Sequence, residues 1–334
     1  MVFCKTIFPE SRTQALLGRI DGHLLTPPTV AMSIRNVALV GADGNLGPAI
    51  LQALVKAGFQ VTILKRESSK SRDNYPSVVR VIRVDSDFDT ASVAKALVGQ
   101  DAVVVSMRGA QQVDVQKRIA DACIVANVNR MIPADFGSCD SSSAVTQELV
   151  PLYRNKTTIR NYLQGLSAQH SNFTWTSLVC GHFFDWSLEF IHIFVHDQRA
   201  DILGDGNTPC SFSTLARIAE ATVAVLQRPR TTANQMLYIH SFLATQNEIV
   251  DAYQRATDST WNVTSLDSEK FKNDEKAKAD AGDLNAIEEL VWYLGTVDAN
   301  WTTRENFAME KLGLKDESLD FVVQRIVGDC NDPA

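Results

Sequence analysis

The sequence predicts an α/β fold built on a doubly wound parallel sheet. Three observations carry this. Short apolar runs alternate with helical segments from Asn36 to about Pro133, a turn Gly41-x-x-Gly44-x-x-Gly47 stands between the first run and the first helix, and the texture changes only after Gly137. Strands separated by helices pair in parallel, because each crossover must carry the chain back across the sheet. Such crossovers are right-handed, which winds the sheet on both faces.

In chain order, Asn36–Val40 is a strand and Leu46–Ala57 a helix, with Leu46, Ile50, Leu51, Leu54 and Val55 on one face. Gly58 stops that helix, and Phe59–Leu64 is the next strand. Val78–Val84 is a third strand, Thr90–Val98 a helix closed by Gly99, and Ala102–Met107 a fourth strand. Val113–Ala126 is a helix and Val128–Pro133 a fifth strand. Ser138–Pro151 is rich in serine and predicts a loop. Lys156–Leu166 is helical, with Ile159, Leu163 and Leu166 roughly aligned, and Phe173–Val179 is a strand of aromatic and β-branched residues. Beyond about Phe183 the pattern is irregular, except for a charged helix or loop over Asp267–Asp283 and amphipathic helices over Leu284–Leu294 and Ser318–Val327. This layout predicts a flexible leader over 1–33, a nucleotide-binding domain over 34–180, and a smaller substrate region over 181–334 interleaved with the sheet.

At 334 residues the chain is long for one domain of about 150 residues, and it can bury a large core without staples. A hydrophobic share of 45% and a charged share of 21% exclude a disordered or fibrous chain. The net charge of −7 argues against nucleic acid or an anionic membrane as partner, since both reward a basic surface. No apolar run is long enough to cross a bilayer. The cysteines, Cys4, Cys123, Cys139, Cys180, Cys210 and Cys330, stand at no metal-ligand or redox spacing and read as reduced, mostly buried thiols. Residues 1–31 lack the apolar core of a signal peptide, so they read as a flexible leader or an artefact of start-codon choice. The sequons at Asn155, Asn172, Asn262 and Asn300 are then expected to be accidental, and the cytoplasm is the expected compartment. A small molecule is the expected partner. The oligomeric state is left open, a homodimer being the assembly to test.

The glycine turn carries the strongest chemical signal. Glycine permits positive φ and lets backbone approach a pyrophosphate, while the helix behind it aims free N–H groups and a positive dipole end at the same place. Strand, turn and helix in that order mark a Rossmann-type nucleotide site. About 20 residues past the glycines, an NAD-binding fold sets an acid against the ribose hydroxyls. Here the second strand ends in Lys65 and Arg66, with Lys70 and Arg72 close behind, and guanidinium forks suit the 2′-phosphate of NADP. NADPH is therefore the expected cofactor. The plainer reading is a solvated basic turn, and Glu67 one residue on weakens the pattern.

With these residues in view, the chain resembles the NmrA-like and isoflavone reductase-like branch of the atypical short-chain reductases, from about Ser33 to Val327. The shared motifs are ValGlyAlaAspGlyAsnLeuGly (40–47), Val84-Asp85, GlyGlnAspAlaValValValSer (99–106) and IleProAlaAspPheGly (132–137). They continue through Lys156, ThrTrpThrSerLeuValCysGlyHisPhePhe (174–184) and LeuGlyAspGlyAsn (203–207). A TrpThr strand followed by Gly-x-Phe is most similar to the fungal members. The resemblance implies cofactor contacts from Gly41, Asp43, Gly44, Asn45, Leu46, Gly47 and Ser106, alongside Lys65, Arg66 and Lys70. It also implies that Lys156 is the catalytic acid/base, since reductase members carry a lysine after the Pro-x-x-Phe-Gly loop. An amine beside the nicotinamide could relay a proton at a lowered pKa, while the plainer reading is a surface lysine in a first helical turn. Tyr153 precedes Lys156 by three residues rather than the four of the Tyr-x-x-x-Lys pair, so that tyrosine's role is not carried over and Tyr153 is placed in the pocket wall.

Gly181, His182, Phe183, Phe184 and Trp186 match the family's pocket-forming segment, and aromatics there suit a flat substrate. The alternative is that these aromatics are core. His182 is a candidate second proton relay, and Asp135 is expected to fix its loop by hydrogen bonds. His192 and His196, four apart, could share a helical face, yet the residues between them supply no carboxylate, so no metal is expected. The implied activity is NADPH-dependent reduction of a small aromatic or phenolic metabolite. A dinucleotide-sensing regulator without enzymatic activity is the main competitor, and a non-redox isomerase or dehydratase with a structural cofactor is the third reading.

Overall fold

The computed structural model describes residues 33–107 and 113–331, so the leader (Ser33 apart), Cys4 and the Cys330 side chain lie outside the described residues. The described part belongs to one compact unit that begins at Ser33. Its first half runs β1 (Asn36–Val40), α1 (Gly47–Lys56), β2 (Gln60–Arg66), β3 (Arg80–Val84), α2 (Thr90–Ala96), β4 (Ala102–Val105), α3 (Val113–Val125) and β5 (Arg130–Ile132). Then come α4 (Ala144–Leu149), α5 (Arg154–Gln169), β6 (Thr174–Val179), β7 (His182–Phe183), β8 (Ile193–Phe194), β9 (Arg199–Leu203) and β10 (Cys210–Ser213). The chain continues through α6 (Leu215–Gln227), β11 (Gln235–Tyr238), β12 (Phe242–Ala244), α7 (Gln246–Thr257), β13 (Asn262–Leu266), α8 (Ser268–Asp280), α9 (Leu284–Val297), α10 (Met309–Leu312) and α11 (Leu319–Asn331).

Seven strands form one parallel sheet in the order β11-β6-β5-β4-β1-β2-β3. Both faces are covered, which is why its strands are apolar on both sides. Val37 and Leu39 of β1 pack with Ile50 and Leu54 of α1 and with Ile218, Ala221 and Val225 of α6. The alternate residues Ala38 and Val40 pack with α2, α3 and α5 through Val93, Ile119, Ile159 and Leu163. The expected doubly wound α/β fold is thus observed. β11 and α6, both beyond residue 180, belong to this layer, so the later part of the chain is threaded back into the sheet.

A third core lies under the two smaller sheets, β12-β10-β7 and β13-β9-β8. Trp292 and Leu290 of α9, Val322 and Val323 of α11 and Tyr253 of α7 fill it. The serine-rich segment expected to be loop contains α4, because Thr146 and Leu149 are buried; tertiary packing there overrides composition. The Asp267–Asp283 stretch resolves as a helix: the Asp267 side chain accepts from Lys270 N, and Lys270–Asp274 and Lys276–Asp280 pair one turn apart. Arg130 is fully buried in β5 and donates to Thr174 and Thr176 at 2.8 Å, lacing β5 to β6.

Candidate active site

β1 is where strand order reverses, with β2 on one side and β4 on the other, the place where ligands gather in open α/β sheets. Gly41 leaves β1 at φ +86°, and a Cβ there would stand 2.1 Å from the carbonyl oxygen of Ser106, at the end of β4. At Gly47 a Cβ would stand 2.2 Å from the carbonyl oxygen of Gly41. Only glycine fits these two places, and the turn packs backbone against backbone. The Gly44 N–H closes it onto Gly41 at 3.1 Å, leaving Asp43, Gly44 and Asn45 exposed and Leu46 buried. No side chain caps α1, and no acid lies in its first turn. Free amides at a helix start suit a pyrophosphate, so the residues present fit a dinucleotide.

At the end of β2 and just past it, Arg66, Lys70 and Arg72 are exposed, and among the described residues none of the three holds an ion pair. Lys65 corrects its expected role as a phosphate ligand. Its ammonium is buried and surrounded by Asp73 Oδ1 at 2.8 Å, Asp43 Oδ2 at 3.1 Å, Tyr75 Oη at 3.1 Å and the Ser71 carbonyl at 2.9 Å. Burial alone would lower its pKa, but Asp73, Tyr75 and Asp43 outweigh that and raise it. A cation so engaged has no donor left for a ligand.

Lys156 stands in the first turn of α5 with its side chain 10% exposed, which removes the surface-lysine reading. Its Nζ donates to the backbone oxygen of Asp135, lies 3.8 Å from that residue's carboxylate and faces the Tyr153 ring at 4.8 Å from its centre. Burial pushes the ammonium below its ordinary pKa, an effect that Asp135 opposes and Arg160 adds to. Asp135 Oδ2 accepts from Ser177 Oγ and lies 3.5 Å from Arg160 Nε, whereas its buried Oδ1 has no hydrogen-bond partner. Its loop follows β5, two strands or about 10 Å from β1. Tyr153 is itself buried, with its hydroxyl 3.3 Å from Ser138 Oγ and its phenol held well above the usual pKa by burial.

Sequence reasoning missed Arg160 and Ser177. The signal for Arg160 was available: an arginine four residues after Lys156, on the apolar face that Ile159 and Leu163 define. Ser177 sits mid-strand and carried no signal.

The pocket-forming segment divides. Phe184 is fully buried, with its ring edge-on to Phe242 at 5.0 Å and Phe212 at 5.5 Å, so it is core rather than pocket wall. His182 is buried as well. Its Nε2 donates to the Trp292 carbonyl at 3.2 Å, its Nδ1 has no hydrogen-bond partner, and burial pushes its pKa down to about 4. A neutral imidazole walled in this way is no proton relay at neutral pH. Phe183 is half-buried and meets Trp186 edge-on at 6.4 Å. Trp186, with Asp185, Leu188, Phe194, Arg325 and Ile326, lines a cavity of about 600 Å³. His192 and His196 do not share a helix: His192 ends a short turn at φ +60° and enters β8. Among the described residues, no group of three or more His, Cys, Asp or Glu side chains could hold a metal ion. Cys123, Cys139, Cys180 and Cys210 are free and buried. No helix among the described residues is long and apolar enough to cross a membrane.

The family model described as the NmrA-like family matches residues 34–310, which include the glycine turn, the loop after β5 and Lys156. The chain belongs to the NmrA-like family. Oxidoreductase aprR of Aspergillus flavus is 33% identical over 87% of this chain and 98% of its own length. Phenylcoumaran benzylic ether reductase Pyrc5 of Pyrus communis is 25% identical over 83% and 92%. A solved isoflavone reductase superposes with a TM-score of 0.71 at 21% identity, covering 88% of this chain and 99% of that one. A complex of leucoanthocyanidin reductase with NADPH, from Vitis vinifera, gives 0.70 at 16% identity over 88% and 99%. The NmrA-like match ends before α11, the helix that brings Arg325 and Ile326 to the cavity.

Proposed function

We propose that this chain is an NADPH-dependent reductase of a small aromatic or phenolic metabolite, with Lys156 as its acid/base. The observation that carries the reading is the placement of Lys156: buried, below its ordinary pKa, and fastened to the loop at the carboxyl end of β5. A lysine so placed is costly to fold and is explained by work on a proton. The relatives named as reductases of phenolic compounds support the substrate class, and the complexes of structural neighbours with NADP or NADPH support the cofactor.

The glycine turn and the first amides of α1 would hold the pyrophosphate, and Arg66 the 2′-phosphate. NADPH would supply the hydride. Lys156 Nζ would hold the proton for the oxygen that gains negative charge, while Asp135 and Tyr153 fix the amine in place. The cavity lined by Trp186 and Phe194 is within the size range of small-molecule pockets and offers aromatic faces to a flat ligand.

The test is oxidation of NADPH by purified protein over a panel of aromatic enones, ketones and benzylic ethers, with Lys156→Met alongside. Turnover that Lys156→Met abolishes while NADPH still binds is the expected result. Tight binding of NADP and NAD alike, with no turnover of any panel member, would overturn the reading in favour of a dinucleotide-sensing regulator.

A further inference from the structure

The cluster around Lys65 is larger than an ion pair. Its ammonium touches Asp43 in the glycine turn, Asp73 and Tyr75 further along, and the carbonyls of Ser71 and Arg72 at 2.9 and 3.3 Å. Asp43 accepts in addition from Ser71 Oγ at 2.5 Å and Tyr75 Oη at 2.6 Å, so the turn and the 66–75 segment are laced at both ends. Asp73 is shared with Arg83 of β3 at 2.8 Å. Charge within the cluster cancels: Lys65 and Arg83 balance Asp43 and Asp73. The cations that remain, Arg66, Lys70 and Arg72, all lie on the strapped segment and are exposed.

We infer that Lys65 is a positioning residue for recognition of the cofactor's 2′-phosphate, acting through the strap rather than by contact. Two effects combine. The buried ammonium draws Asp43 into the strap and so ties the glycine turn to the segment that carries the exposed cations. The same ammonium, by binding the carbonyls of Ser71 and Arg72, fixes the backbone that carries the exposed cations. Ordering that backbone before the ligand arrives removes part of the entropy that the loop would otherwise lose on binding. An anion at the 2′ position gains from this; a 2′-hydroxyl does not. The inference rests on the NADPH reading above.

The experiment compares wild type with Lys65→Met. Binding of NADPH, NADH and 2′,5′-ADP is titrated by calorimetry, and trypsin cleavage after Arg66, Lys70 or Arg72 is followed in cofactor-free protein. Expected are a loss of at least about tenfold in NADPH and 2′,5′-ADP affinity, NADH affinity within about twofold of wild type, and faster cleavage of the strap. An equal loss for NADPH and NADH, or an unchanged preference, overturns the inference and leaves the NADPH reading standing. A wild type with no preference for NADPH over NADH overturns that reading first. Should Lys65→Met not fold, Asp43→Asn decides the matter. It keeps Lys65 and its pair with Asp73 but weakens the tie to the turn, and it is expected to narrow the NADPH preference in the same direction by a smaller factor. An unchanged preference in Asp43→Asn counts against the strap.

Discussion

The imidazole of His192 lies flat on the indole of Trp292, with 3.5 Å between ring centroids and 11° between planes. Its Nδ1 stands 3.3 Å from Asp201 and its Nε2 2.9 Å from Glu289, so one ring ties the β8–β9 hairpin to α9. The histidine that in sequence could have shared a helical face with His196 is a structural clamp. His192→Ala is expected to lower stability by about 2 kcal/mol or more, from the lost stack and the lost charged hydrogen bonds. His192→Phe is expected to recover the stacking part only. Urea unfolding of both variants checks this, and equal losses would show that the ring face contributes nothing.

Lys156→Met is expected to lower kcat by about a hundredfold or more, as for loss of a general acid/base. Stability should move the other way. The folded pKa of Lys156 lies below its ordinary value, so the unfolded chain binds the proton more tightly and the charged lysine opposes folding at neutral pH. That penalty fades as pH rises through the folded pKa and is gone above the unfolded value. Lys156→Met is therefore expected to melt at or above the wild-type temperature at neutral pH, with the difference shrinking as the pH becomes alkaline. A variant that is less stable at neutral pH would show that the bond to the Asp135 carbonyl outweighs the cost of burial.

The sheet was legible because its signals are local. Apolar runs of strand length, helices stopped by Gly58 and Gly99, and the glycine turn each fix structure within a few residues. Helix α4 was not legible, because what makes Ala144–Leu149 helical is burial of Leu149 against residues far along the chain. At the site, the glycines could be named from type and spacing, and Lys156 through the family resemblance. Whether Lys65 met a ligand or an internal carboxylate could not, since Asp43 and Asp73 reach it only once β1 and β2 are side by side. Phe184 and His182 were ambiguous for the same reason: an aromatic after a strand reads alike as pocket wall or as core until α7 and α9 are packed against it.

Arg66→Ala separates the direct phosphate contact from the strap. Arg66 is exposed, and among the described residues its guanidinium has no hydrogen-bond or ion-pair partner, so the cofactor-free melting temperature should be unchanged. NADPH affinity is expected to fall by about tenfold or more and NADH affinity to stay constant. Thermal melts with and without each cofactor measure both at once. An equal loss for the two cofactors would place Arg66 away from the 2′ position.

His182 makes a prediction in the acid range. Its folded pKa of about 4 lies below the 6.5 of a free imidazole, because burial among Phe190, Phe212 and Trp292 disfavours the cation. As pH falls below 6.5 the unfolded chain takes up a proton that the folded ring refuses, so stability drops between pH 6.5 and about 4, by on the order of 3 kcal/mol. His182→Asn should be less stable than wild type at pH 7, from lost packing against Gly295 and the lost bond to Trp292. Because it lacks the titrating ring, that difference should narrow steadily on acidification across the same window, while carboxylates titrate alike in both proteins and cancel. Stability curves in urea at several pH values measure the difference directly. A gap that stays constant from pH 6.5 to 4 would mean that the ring is protonated in the fold with a partner at Nδ1, against the walled-in neutral imidazole described above.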